Sequence, residues 1–437
     1  MPAGNLTRNF SLVAPRRKSV PVPYAVVALL YVVVGALICW EGNAILGERQ
    51  HAPDLYKGGC QCAIMWCYIF HPSDFKNISD VIAYLRDLRT GIPPLLSVLE
   101  IGIFHAFGNL DLVGKHLYRL AIVSSYVLAF FIAARNRALG ILSIVSGLIF
   151  MRATVVIHKG NPVVYDVFFP FFLLMFVTLY RRAGSATGSR ALLAAVSAGF
   201  FLSMLELTRP FVLYLLPVSI AGAFFWLWPL GRNVFLGFLI PLLLLSGGWH
   251  AKLLWFNDGQ ISWSNNSGFN LHSAWSHCPV PARPPLYGLA PPIAPGRWPN
   301  LNTRERFFHS QELERAVLRC IWSDPVGSAK HALRLLRVFL APQTWLHWNY
   351  PRDWILTPYR LGVWLSAAWL GVNLLVLFAY VGRTGRVQCI GHPENSLLLL
   401  TAGSLLMLAL GNGIEQSRLL ISLLPCLAAF PLPRLHG

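Results

Sequence analysis

The strongest constraint on this chain is a series of long apolar runs, most of them ~16 residues or longer, separated in several places by short polar turns. They are Pro23 to Trp40, Leu117 to Ala134, Ala138 to Ile157, Val164 to Tyr180, Ala191 to Leu207, Pro210 to Trp228, Val234 to Trp255, Leu361 to Val381, Asn395 to Leu410 and Glu415 to Phe430. In hydrocarbon, a segment of this length satisfies its own backbone N–H and C=O groups only as a helix. Composition agrees: 55% of the residues are hydrophobic, 12% are charged, and the mean hydropathy is +0.53, outside the range of ordinary soluble domains. The expected fold class is an all-α polytopic membrane protein, a helical bundle with about 10 transmembrane helices, in a range of about 10–12, and two long outer loops containing juxtamembrane helices.

Charge sets the orientation. The formal net charge is +18, with no long basic stripe and no nucleic-acid motif, so the excess implies anionic lipid, control of topology and a phosphate-bearing substrate, and no nucleic acid. With ten crossings, Arg8, Arg16, Arg17 and Lys18 share one side with Arg135, Arg137, Arg181, Arg182, Arg190, Arg232, Arg383, Arg386 and Arg434. By the positive-inside rule that side is cytoplasmic, the N-terminus included. Counting the shorter run Pro93 to Phe107, which holds Glu100 and His105, as an eleventh crossing would put most of these arginines outside. It is therefore expected to lie along the outer interface. No small-residue cleavage site follows Trp40, so the first run reads as an uncleaved signal anchor. Short cytoplasmic turns and arginine-rich termini point to a multi-pass protein of a bacterial cell inner membrane.

The chain divides into a cytoplasmic tail (1–22), a first membrane region (23–255) with an outer loop (41–116), a second outer loop (256–360) and a C-terminal membrane region (361–437). Outer loops of this length are functional or disordered, and helical spacing over Ile78 to Leu88, Thr303 to Trp322 and Ala329 to Leu340 predicts order. Pro279 to Pro299 is a turn-rich excursion. Disulfides are open among Cys60, Cys62, Cys67, Cys278 and Cys320 if that face is oxidising, and no finger-like zinc spacing occurs. No G-x-x-x-x-G-K-[ST] element is present, and no cytoplasmic domain is large enough to handle a soluble nucleotide donor.

Charges close to a bilayer core are expensive, so those at the outer interface need a reason. Glu41 follows the first run, Asp54 precedes Tyr56, and Asp80 lies in the first outer loop. Arg152, His158 and Lys159 lead to Asp166, three residues into a run, and Arg209 sits in the tight turn Glu206-Leu207-Thr208-Arg209-Pro210. Glu415 and Arg418 are spaced i,i+3, able to pair with each other or to line a site. Each has a bland alternative as a solvated boundary charge or an internal ion pair. An arginine fork below the outer surface suits a phosphate, and a carboxylate opposite it suits proton abstraction from a hydroxyl.

Five features in order carry a resemblance: the acidic loop after the first run; Gly91-Ile92-Pro93-Pro94-Leu95-Leu96 leading to Phe107-Gly108; Asp166 at the start of a run; the turn Leu207-Thr208-Arg209-Pro210; and Glu415 to Arg418 followed by Ser422-Leu423-Leu424-Pro425. Over most of its length the chain resembles the GT-C superfamily of membrane glycosyltransferases. Within that superfamily it is most similar to the bacterial branch of aminoarabinose and protein mannosyl transferases, the dolichyl-phosphate-mannose-protein mannosyltransferase-like proteins. In this chain Glu41-Gly42-Asn43 stands where the family has an Asp-Glu pair, and Leu419 stands where it has the Tyr of Glu-x-Arg-Tyr.

The resemblance implies a hexosyl- or pentosyltransferase moving a sugar from a polyprenyl-phosphate donor to a lipid, glycan or protein acceptor on the outer face. Asp54 is the first choice of general base, with Glu41 and Asp80 as alternatives and Asp166 as a further catalytic acid. Arg418, Arg209, Lys159 and Arg152 would bind the donor phosphate, supported by Glu415, His158 and Tyr56. No cofactor is required by this scheme, while a divalent metal ion held through Asp166 is an open alternative. Rival readings are a membrane transporter or lipid flippase, a lipid-linked polysaccharide ligase or polymerase, and a noncatalytic scaffold.

Overall fold

The computed structural model describes residues 22–49, 79, 82, 117–158, 164–256, 259, 267–279, 304–341, 355–411 and 419–435, and among them the chain is helical, with no strand. In chain order the helices are α1 (Val22–Arg49), α2 (Tyr118–Ala133), α3 (Arg137–His158), α4 (Val164–Ser185) and α5 (Gly188–Glu206). A 3₁₀ turn (Pro210–Leu215) leads into α6 (Leu216–Leu227), and α7 (Arg232–Leu242) continues through a π turn (Leu243–Gly247) into α8 (Gly248–Phe256). Next come α9 (Ser267–Ala274), α10 (Arg304–Ser323), α11 (Pro325–Leu340), α12 (Leu356–Thr384) and α13 (Pro393–Gly411). A second 3₁₀ turn (Leu420–Leu423) precedes the short α14 (Leu424–Ala428).

Among the described residues seven segments are long and apolar enough to cross a membrane: Arg137–Val155, Val167–Ser185, Gly188–Glu206, Phe211–Leu230, Arg232–Trp255, Leu356–Thr384 and Pro393–Gly411, and two shorter apolar helices, Tyr24–Cys39 and Arg119–Ala133, join them. The chain is an integral membrane protein of helical class. Large apolar side chains face outward along these helices, among them Leu29, Leu37, Leu193, Leu244 and Leu375. That outward face is the expected surface of a bundle solvated by lipid, where no water drives the apolar residues inward.

The last apolar run is not a regular helix. Its described part is a 3₁₀ turn followed by the five-residue α14, and every residue from Leu419 to Pro431 is buried. Pro425 at the start of α14 supplies no amide to an earlier carbonyl, which is why the turn before it stays 3₁₀. This segment packs against α2, α3, α4 and α12, so it fills the middle of the bundle. The run Pro93 to Phe107 and most of Ile78 to Leu88 lie outside the described residues. The amphipathic stretches foreseen in the second outer loop correspond to α10 and α11.

Close helix packing follows from small side chains. The buried residues of α5 include Ala191, Ala194, Ala195, Ala198, Gly199 and Leu202, a stripe at helical spacing. That stripe lets the backbones of α4 and α7 approach, which is how membrane helices gain dispersion energy without a hydrophobic driving force. Gly199 marks the tightest point of this interface: a Cβ there would stand 2.0 Å from the Phe238 carbonyl oxygen of α7. On α12, by contrast, a Cβ at Gly371 would meet nothing within 4 Å.

Gly199→Ala is expected to push α5 from α7 and lower stability by about 1–3 kcal/mol, whereas Gly371→Ala leaves it unchanged or raises it. Thermal unfolding of both variants in detergent checks this. Equal melting temperatures would show that the two helices are not in backbone contact.

Candidate functional site

The short turns between α2 and α3, α4 and α5, α6 and α7, and α12 and α13 gather at one end of the bundle, because helices joined by short connections run antiparallel. That is the arginine-rich end, and it is closed by an ion cluster. Arg135 Nη1 and Arg181 Nη2 both donate to Oε1 of the buried Glu394, while His392 Nδ1 lies 2.5 Å from its Oε2. Glu394 stands in the first turn of α13, where the helix N-terminus also favours a negative charge. Burial and then the adjacent Arg181 push the Arg135 guanidinium down to about 10, against the pull of Glu394.

Neutral hydrogen bonds complete this cap. The Tyr180 hydroxyl donates to Gly391 O at 2.8 Å, and fully buried Asn395 holds both Cys389 O, at 2.7 Å, and the backbone of Arg434. The Trp226 ring stacks edge-on against His392, with centroids 4.8 Å apart. These contacts join the turns in a structural clamp, while Arg181 Nε and Trp226 Nε1 have no hydrogen-bond partner among the described residues and Glu394 Oε2 meets only the His392 ring.

The opposite end is different. At the C-terminus of α5, Glu206 is only 1% exposed, and its Oε1 lies 2.7 Å from Nε2 of His250 on α8. Glu206 Oε2 has no hydrogen-bond partner among the described residues. Pro241 cannot donate the amide hydrogen bond that would reach back to Gly237, and the π turn just beyond it adds a residue to the coil and re-aims the segment that carries His250. The π turn itself packs on α5. A buried carboxylate oxygen without a hydrogen-bond partner is costly, and π turns recur at functional sites.

Beside this pair the chain turns sharply. Thr208 Oγ1 donates to Met204 O at 2.7 Å, and half-buried Arg209 is in extended conformation before Pro210 opens the 3₁₀ turn. A small subdomain covers the same end. Its helices α9 and α10 touch at Gly268, whose amide donates to Ser310 Oγ at 3.0 Å, and Ser267 Oγ donates to Glu314 Oε2 at 2.9 Å. The Glu314 carboxylate also acts electrostatically on Tyr214 of the 3₁₀ turn. Trp275 Nε1 donates to Leu410 O at 3.0 Å, which docks the subdomain on the end of α13. Cys278 and Cys320 form a disulfide across 42 residues of chain, settling one pairing that the sequence left open. Both sulfurs that could form a metal-binding set with His277 are thereby engaged.

Of the residues singled out from sequence, Arg209 and Arg152 are described with their side chains, and both have interactions of their own. Arg152, on α3, and Arg209 belong to the same end as Glu206 and His250. The backbone of Glu41 lies on α1, that of His158 closes α3, and that of Asp166 is in the first turn of α4; their side chains fall outside the described portion. Asp54, Tyr56, Asp80, Lys159, Glu415 and Arg418 lie outside the described residues.

Glu206 and His250 are not among the site residues expected from sequence, and they lie 44 residues apart. The signal for them is an acid at the end of one run and a histidine near the end of another that finishes on the same side. Likewise Arg135 and Arg181 read in sequence as cytoplasmic turn charges, and Glu394, just before the run that starts at Asn395, lies on their side. No family model, no curated protein and no solved structure matches the chain.

Glu394→Gln leaves Arg135 and Arg181 without their shared anion and is expected to cost about 3 kcal/mol, the low end for breaking a buried pair because Arg135 keeps partial access to solvent. Arg135→Gln added to Glu394→Gln should cost less than the sum of the two single changes. Thermal unfolding of all three variants measures the coupling, and strict additivity would show that the contact carries no stability.

Proposed function

We propose that the chain is a glycosyltransferase of GT-C type, transferring a hexosyl or pentosyl unit from a polyprenyl-phosphate donor to a lipid, glycan or protein acceptor. The reaction lies on the outer face of a bacterial inner membrane, with the arginine-rich end cytoplasmic and about ten crossings in all. The observation that carries this reading is the Glu206–His250 pair at the end of the bundle opposite the arginine clamp, where a buried acid has one oxygen without a hydrogen-bond partner among the described residues. Arg209 and Arg152 belong to that same end, as does the helix turn bearing Asp166.

In this scheme an acceptor oxygen attacks the anomeric carbon, the bond to the lipid phosphate breaks, and a carboxylate takes the acceptor's proton. Asp54 is the first choice for that base, ahead of Glu41 and Asp80. Arginine forks at Arg209, Arg152 and Arg418, with Lys159, hold the phosphate as its charge develops. Glu415, His158 and Tyr56 support them, and no step requires a metal.

A second reading, a lipid flippase or transporter, draws on the interrupted helices, since the π turn after α7 and the 3₁₀ turns before α6 and α14 resemble the broken spans of transporters.

Purified protein in lipid nanodiscs, supplied with labelled polyprenyl-phosphate sugars and membrane acceptors, is expected to transfer label. Asp54→Asn and Asp166→Asn should each lower turnover by ~100-fold or more, with unchanged size-exclusion profiles. Wild-type turnover by both variants refutes the assigned site. Absence of transfer together with vectorial lipid movement in vesicles replaces the enzyme with the transporter.

A further inference from the structure

The outer subdomain exposes an apolar surface that its own core does not use. Inside, Val317 and Leu335 pack with Trp275 and Cys278 around the disulfide. Outside, Trp322 at the end of α10 is 79% exposed, and Val326 and Leu333 on α11 are each 68% exposed. Val326, Ala329 and Leu333 follow the i, i+3, i+7 spacing of a single helix stripe. Directly beside that stripe, Lys330, Arg334 and Arg337 follow i, i+4, i+7, all exposed. Helix α11 contains no acid; Asp324, just before it, caps its N-terminus by accepting from the Gly327 amide at 2.9 Å.

We propose that this face of α10 and α11 docks on the outer leaflet of the bilayer, with Trp322, Val326 and Leu333 among the upper acyl chains and Lys330, Arg334 and Arg337 on anionic phospholipid headgroups. Two observations select lipid as the occupant. The first is continuity: Phe339 and Leu340, at the far end of α11, belong to the core of the membrane bundle, and α11 packs on α12 and α13. The helix therefore leaves the bundle at interface level, at the end where Trp255 stands 85% exposed. Two exposed tryptophans at one end are the pattern of an aromatic belt. The second is charge: the apolar stripe of α11 has a basic flank and no acid on the helix itself, Asp324 being engaged as its N-cap, which matches an anionic interface, whereas a second copy of the same face would set like charges together. The inference does not depend on the catalytic reading.

Photocrosslinking tests it in the full-length protein. The crosslinker p-benzoylphenylalanine is placed at position 326, at position 333 and, as a lipid-facing control, at position 375 on α12, where Leu375 is 71% exposed. Each protein is reconstituted in nanodiscs of phosphatidylethanolamine and phosphatidylglycerol, irradiated and read by mass spectrometry. Phospholipid adducts are expected at 326 and 333 as well as at 375. At 326 and 333 phosphatidylglycerol should be enriched about threefold or more over its mole fraction, and Lys330→Gln, Arg334→Gln and Arg337→Gln together should abolish the enrichment. Adducts at 375 with none at 326 and 333 overturn the docking, and so do crosslinks to a second copy. Lipid adducts without headgroup preference overturn the assignment of the basic flank.

Discussion

Ionised groups are costly in hydrocarbon, and this constraint divides the molecule into two ends. At one end a single carboxylate, Glu394, gathers Arg135 from the turn after α2, Arg181 from the C-terminal part of α4 and its own neighbour His392. Those arginines would otherwise present like charges to one another. Joining them through one anion fixes how α2, α4 and α13 meet, and the amide of Asn395 carries the same clamp to the C-terminal strap. With that end locked, the helices can differ at the other without losing register.

At the other end regular helix gives way. A π turn precedes His250, a 3₁₀ turn follows Arg209, and a disulfide-stapled subdomain sits on the end of α13. These departures cost helix hydrogen bonds that the small-residue stripe of α5 and the fully buried C-terminal segment help to offset through packing. Regular, clamped geometry at one end and irregular, polar geometry at the other is a division in keeping with the proposed transfer from a lipid-linked donor at the membrane surface.

The helices themselves were legible in the sequence because each apolar run is long and bounded by charge. Nine of the ten runs fall on the helical segments described, and α10 and α11 match the amphipathic stretches read from spacing. The last run was less legible: its hydropathy predicts a regular helix, whereas its described part is a 3₁₀ turn and a five-residue helix buried on all sides, with Pro425 at the junction. Pair contacts were not legible either. Glu206 with His250, and Glu394 with Arg135, are separated by 44 and 259 residues, and only packing decides such partners. Arg209 stands out in the sequence as a charge beside a proline, whereas His250 lies inside an apolar run with nothing local to mark its partner.

The two-ended arrangement is tested most directly by impermeant thiol labelling in intact cells, with cysteine placed at the exposed positions Lys330, on α11, and Ser189, at the arginine-rich end. Lys330→Cys is predicted to react from outside, and Ser189→Cys only after the membrane is permeabilised. Labelling of both from the same side, or the reverse pattern, would contradict the account.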